Sequence, residues 1–83
     1  MDKNEKIPTL EEYSEAVKEA LSLYLSHLKE AEIDSYLATK DSKEDIENAY
    51  NEKVKRMEDG KITRKIFLEG AASSTAHNLY MLY

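Results

Sequence analysis

Thr63-Arg64-Lys65-Ile66-Phe67-Leu68-Glu69-Gly70-Ala71-Ala72-Ser73-Ser74-Thr75-Ala76-His77-Asn78-Leu79-Tyr80-Met81-Leu82-Tyr83 is the stretch on which the fold turns. Thr63 suits an N-cap, because its hydroxyl can accept from an amide of the first turn. Ile62 before it and Phe67 after it have the spacing of a hydrophobic staple. From Gly70 to Ala76 seven small residues follow one another and leave almost no bulk on any face. So slim a helix lets a neighbour approach closely, which predicts that it lies in the middle of the packing. Its ends are bulky, with Ile66, Phe67 and Leu68 on one side and Leu79 to Tyr83 on the other.

Working outward, Gly60 is placed to be the left-handed residue that ends the preceding helix. That helix is expected to start near Asp41 or Ser42, each of which has N-cap spacing to an acidic residue. Its apolar stripe is narrow: Ile46, Ala49, Tyr50, Val54 and Met57. Lys55 and Arg56 lie in its last turns, where cations suit the dipole. The first helix starts at Thr9, which makes a capping box with Glu12. Leu10, Tyr13, Val17, Ala20, Leu21, Tyr24 and Leu28 then recur at intervals of three and four, the spacing of one helical face. Leu23 and Leu25 widen that stripe, so this helix is expected to touch more than one neighbour. Ile33, Tyr36 and Leu37 fall well round the cylinder from it, which predicts a break between Glu30 and Asp34. Asp34 could cap a short extra turn through Leu37; a single helix to Thr39 is the alternative.

The pattern predicts an all-α fold without sheet. Three long helices, roughly 17–21 residues each, would form an antiparallel three-helix bundle, with or without one extra short helical turn between the first two. Residues 1–8 are expected to be a disordered or extended tail, and residues 9–83 a single helical bundle domain. The expected core is Val17, Leu21, Tyr24, Leu28, Ile46, Tyr50, Val54, Ile66, Phe67, Ala71, Met81 and Leu82.

The chain has 83 residues, 41% hydrophobic and 35% charged, which is one small domain with enough apolar material for a core. No cysteine is present, and this excludes a disulfide framework, a Cys-ligated zinc site and a thiol nucleophile. Twelve basic residues against 17 acidic ones leave a net charge of −5, which argues against binding nucleic acid chiefly through phosphates. The N-terminus runs into Ile7-Pro8 and an acidic stretch rather than an apolar leader. A cytoplasmic protein is therefore expected. Ile66 to Tyr83 carries only Glu69 as a charged side chain, but Ser73, Ser74, Thr75, His77 and Asn78 at its middle argue against membrane insertion.

Enzyme chemistry finds little support. Ser73, Ser74 and His77 are within reach on one helix, but a nucleophile would also need an orienting carboxylate and an oxyanion hole. They read as helix hydroxyls and a rim histidine. His27 and His77 are the only histidines and lack companion ligands at helical spacing. Glu15 with Lys18 and Glu52 with Arg56 read as weak ion pairs on solvated faces. No catalytic residue, metal or cofactor is expected.

Two stretches stand out as binding candidates. Lys53, Lys55, Arg56, Lys61, Arg64 and Lys65 set six basic side chains against Glu58 and Asp59, a local +4 in an acidic chain. They span a helix end, a Gly turn and a helix start, which is also the layout of a helix-turn-helix. Few side chains after Lys65 could read a groove, so a patch for an acidic partner is the simpler reading. Leu79, Tyr80, Met81, Leu82 and Tyr83 are apolar on all sides. A small bundle cannot cover all of such a helix end, and an exposed apolar patch usually marks a contact. The leading expectation is a non-enzymatic protein–protein interaction module that self-associates as a homodimer through the C-terminal helix. The alternatives are an acidic regulatory or inhibitory protein of phage or plasmid type, docking Asp41, Glu44, Asp45, Glu47 and Glu52 on a nucleic-acid enzyme, and a divergent helix-turn-helix DNA binder.

Overall fold

The computed structural model describes residues 6–82, which form four helices and no strand. The all-α class expected from the sequence is what the structure shows. Helix α1 is Leu10–Tyr24, α2 is Glu30–Leu37 and α3 is Lys40–Glu58. Helix α4 is continuous but of mixed winding: an α-turn at Arg64–Ile66, a π-helical turn at Phe67–Ala71 and an α-helical body at Ala72–Leu82.

Capping chemistry sets most of these boundaries. Thr9 Oγ1 accepts from the Glu12 amide at 3.1 Å, and Glu12 Oε1 accepts from the Thr9 amide at 2.9 Å. Both halves of the capping box are thus made. Thr63 Oγ1 accepts from the Ile66 amide at 3.2 Å and starts α4. Gly60, at φ 74°, ends α3. The Gly60 amide donates to the Met57 carbonyl and the Lys61 amide to the Arg56 carbonyl, at 3.0 and 2.9 Å. This is the double closure of a Schellman motif.

Three boundaries differ from expectation. Helix α3 is capped by Thr39, whose hydroxyl accepts from the Ser42 amide at 3.3 Å. Ser42 is therefore inside the first turn and buried, and neither it nor Asp41 is the cap. The break after α1 covers residues 25–29, ahead of the Glu30–Asp34 window, with Leu25 as the buried C-cap whose amide still donates to the Leu21 carbonyl. The extra helix between the first two long ones exists, but it starts at Glu30 and not at Asp34. Glu32 accepts from the Lys29 amide at 2.9 Å there, while Asp34 binds Lys18 Nζ at 2.7 Å. Of the segment assigned to a tail, residues 6–8 lie along the domain, with Pro8 buried and its carbonyl accepting from the Tyr50 hydroxyl at 2.7 Å.

Helices α1 and α4 are the main packing pair, and they run in the same direction. Tyr13 meets Phe67 near the start of both, and Tyr24 meets His77 and Tyr80 near their ends. Helix α3 runs the opposite way: Tyr50 lies against Tyr13 and Pro8, while Tyr36, just before α3, donates to the Leu79 carbonyl. The core consists of Tyr13, Val17, Leu21, Leu25, Ile33, Ile46, Phe67, Ala71, Ala72, Ala76 and Leu79. Of the small residues of α4, Ala71, Ala72, Thr75 and Ala76 are buried against the core, while Gly70, Ser73 and Ser74 are exposed, so the slim helix packs through one face rather than on all sides.

Several expected core residues lie elsewhere, and the π-turn explains the most consequential of them. At about 100° per residue, Phe67 and Leu79 in an unbroken α-helix would point about 120° apart. Met81 would then lie on the Phe67 side. The extra residue of a π-turn rotates everything after it by about one position. Ala72, Ala76 and Leu79 come into line with Phe67, and Met81 turns out to solvent. Leu82 is exposed because it lies almost a turn beyond Leu79, the last core residue of α4. Ile66 and Tyr24 are also on the surface, while Leu28, Tyr50 and Val54 are half-buried against the core.

Candidate functional site

The start of the α1–α4 pair is closed. Tyr13, Tyr50 and Phe67, one from each long helix, form three mutual ring contacts with centroids 5.2 to 6.0 Å apart. Two of the three are edge-to-face, the geometry favoured by the ring quadrupoles. The Tyr13 hydroxyl sits 2.6 Å from Thr75 Oγ1 and donates to the Ala71 carbonyl at 3.2 Å. With Thr75 as donor to Tyr13, each buried hydroxyl is satisfied at once. Burial pushes the Tyr13 hydroxyl above its usual pKa, partly offset by the Thr75 hydrogen bond. Among the described residues no buried side-chain nitrogen or oxygen lacks a partner.

At the far end, the candidate apolar segment divides. Leu79 is only 1% exposed and belongs to the core. Tyr80 turns outward and stacks on Tyr24, with centroids 5.2 Å apart and planes 24° from parallel. Met81 and Leu82 are 68% and 71% exposed. Tyr83 lies outside the described residues. Three side chains not singled out for this surface join it. Tyr24, assigned to the core from its stripe, is one face of the stack. The His77 ring lies 5.7 Å from Tyr24. Leu23, read in the sequence as widening the apolar stripe with Leu25, is 79% exposed, so of the two only Leu25 packs inward. None of these six side chains is a carboxylate, a lysine or an arginine.

The basic stretch is partly dismantled. Arg64 Nη2 binds Glu12 Oε2 at 2.6 Å, and Arg64 Nε donates to the Lys6 carbonyl at 3.2 Å. Arg64 thus ties the start of α4 to the start of α1. The Thr9 amide, with help from Arg64, holds the Glu12 carboxyl below its usual pKa despite some desolvation. Lys53 is half-buried and pairs with Glu52 at 3.2 Å, where Arg56 had been the expected partner. Lys55, Arg56, Lys61 and Lys65 are exposed. On α1, Lys18 binds Asp34 and Glu30 at 2.7 and 3.0 Å, rather than Glu15, and these carboxylates raise its pKa.

Ser73 and Ser74 face solvent on α4, while the His77 ring lies against tyrosines. Among the described residues no group of three or more His, Asp or Glu side chains is placed to hold a metal, and no helix is long and apolar enough to cross a membrane. Comparison of the chain with protein-family models, curated proteins and solved structures finds no match.

Proposed function

We propose that α1, α3 and α4 form an antiparallel three-helix bundle with α2 as its short extra element, and that the bundle is a non-enzymatic protein–protein interaction module that self-associates through the end of α4. The observation that carries this is the exposure of Leu23, Met81 and Leu82, the chain neighbours of the stacked Tyr24 and Tyr80. Stacking brings the ends of α1 and α4 together, so the exposed neighbours of the two rings share one end of the molecule. A large apolar group left in water at one place usually has a partner. A second copy suits it, because an uncharged patch can face itself about a two-fold axis without like-charge repulsion. Tyrosine and methionine are also residue types enriched at such interfaces. A stable interface takes ~800 Å² per partner, about one-seventh of the 5825 Å² surface of this chain. The patch would therefore be the dry centre, with a polar rim around it.

The test is the solution mass by light scattering after size exclusion, from low micromolar to near-millimolar protein. The expected mass is twice 9.6 kDa, and Met81→Lys with Leu82→Lys should give a monomer of unchanged helix content. A wild-type monomer at every concentration, or a double variant that still dimerises, would overturn the proposal.

A further inference from the structure

A second surface lies between α1 and α3, an open groove of about 880 Å³ that is closed at one end by the last turn of α2. Its apolar residues are Leu10, Leu37, Ala38 and Ile46. Leu10 and Ala38 are exposed, Leu37 is half-buried, and Ile46, a core residue, is the buried floor. From Leu10 to Lys18 the α1 wall is ~12 Å long, which is room for about two turns of a helix laid beside it.

The walls are charged, and unevenly so. Glu11 and Glu15 stand on the α1 side, Glu44 and Glu47 on the α3 side. Because α1 and α3 run in opposite directions, Glu11 and Glu47 fall toward one end of the groove. Lys40 and Lys43 fall toward the other, beside the Lys18–Asp34 ion pair.

We infer that this groove takes one amphipathic helix of a partner protein, with an apolar stripe on its inner face and lysines or arginines along its flanks. Apolar anchors at helical spacing are how a helix seats in a groove. Basic flanks answer the four glutamates, and such complementarity selects the partner and its direction. The partner's N-terminal turn, positive by its dipole, lies toward Glu11 and Glu47, and its C-terminal turn toward Lys40 and Lys43. A second copy of this chain does not fit the description. Its exposed apolar helix is the end of α4, and no Lys or Arg follows Lys65.

The test uses the full chain and a synthetic helical peptide of about 15 residues, with leucines at i, i+4 and i+7 and lysines on the flanks. A control carries glutamate for every lysine. Binding is read by fluorescence anisotropy and mapped by amide chemical shifts. The lysine peptide is expected to bind at least about tenfold more tightly than the control and to shift the amides around Leu10, Leu37 and Ile46. Glu11→Lys with Glu47→Lys, both at exposed positions, should weaken it by about tenfold. Met81→Lys with Leu82→Lys should leave it unchanged, which separates this surface from the self-association surface. Absence of binding, equal binding of both peptides, shifts spread over the outer α3 row of Asp41 and Asp45, or shifts at Tyr24 and Tyr80 would each overturn the proposal. So would groove amides that move with protein concentration alone, which would show that a second copy occupies it.

Discussion

Two aromatic trios share helices α1 and α4 and meet opposite fates. Tyr13, Tyr50 and Phe67 close one end of the molecule; Tyr24, His77 and Tyr80 lie open at the other. Ring chemistry does not separate them, since both contain two tyrosines and both make contacts of 5 to 7 Å. What differs is how many elements converge. The closed trio draws one ring from each of α1, α3 and α4, and the Lys6–Pro8 strap lies across it through Tyr50 and Arg64. Among the described residues, the open trio draws on α1 and α4 alone. A ring becomes core when a third element covers it, and otherwise remains a surface that another molecule can use.

The comparison breaks most visibly under truncation. Phe67→Ala should cost ~3–5 kcal/mol, a large fraction of the ~4–12 kcal/mol that a chain of this size holds. Tyr80→Ala should cost ~1–2 kcal/mol, since a ring that is 40% exposed has only part of its burial to lose. Urea melts of the two variants check this, and equal losses would show that the open trio is core after all.

Removing a single oxygen sharpens the same contrast. Tyr13→Phe leaves the Thr75 hydroxyl buried without its 2.6 Å partner, at a cost of ~1–3 kcal/mol. Adding Thr75→Val should recover part of that loss, because the orphaned group is then gone. Tyr24→Phe should fall within ~0.5 kcal/mol of wild type. A double-mutant cycle at Tyr13 and Thr75 that shows no coupling would mean the hydroxyls carry no energy.

The smallest effect is on pH dependence, and it concerns the latch at the closed end. The folded-state pKa of Glu12 is depressed by the Thr9 amide and by Arg64. Its contribution to stability is complete above the unfolded-state pKa and is lost as the pH falls through the folded-state one. Glu12→Gln should therefore flatten the acid limb of a stability–pH curve and leave the neutral-to-basic side parallel to wild type. An acid limb of unchanged slope would show that Arg64 and Thr9 do not hold this carboxylate.

Much of the architecture was legible because it rests on short-range chemistry. The Thr9–Glu12 box, the Gly60 stop and the Thr63 cap involve groups within a few residues of each other, so their spacing reports them directly. The Thr39 cap was missed because Asp41 and Ser42 offered the same spacing two and three residues later. Only the burial of Ser42 decides among the three. At the candidate surface, Tyr80, Met81 and Leu82 are exposed as the chain end suggested, but the set as a whole is not. Leu79 belongs to the core, and Leu23, Tyr24 and His77 join from positions far away in the chain or off the expected face. Within the basic stretch, spacing could not report the tie made by Arg64, whose ion-pair partner is 52 residues away.

By itself the sequence determined the helical class, the Thr9 and Thr63 caps, the Gly60 stop, and a C-terminal helix slim enough for close packing on one face, since each follows from local bonding or local volume. Tertiary structure alone decided the phase of that helix. The π-turn at Phe67–Ala71 aligns Phe67 with Leu79 on the α1 side and lets Tyr13 reach the Ala71 carbonyl and Thr75. A straight helix has the better local hydrogen bonding. What outweighs it is the burial of Phe67, Ala72, Ala76 and Leu79 on one face, a gain that exists only when α1 is present. The same rotation turns Met81 outward, so the surface proposed to meet a second copy is a by-product of how the core was filled.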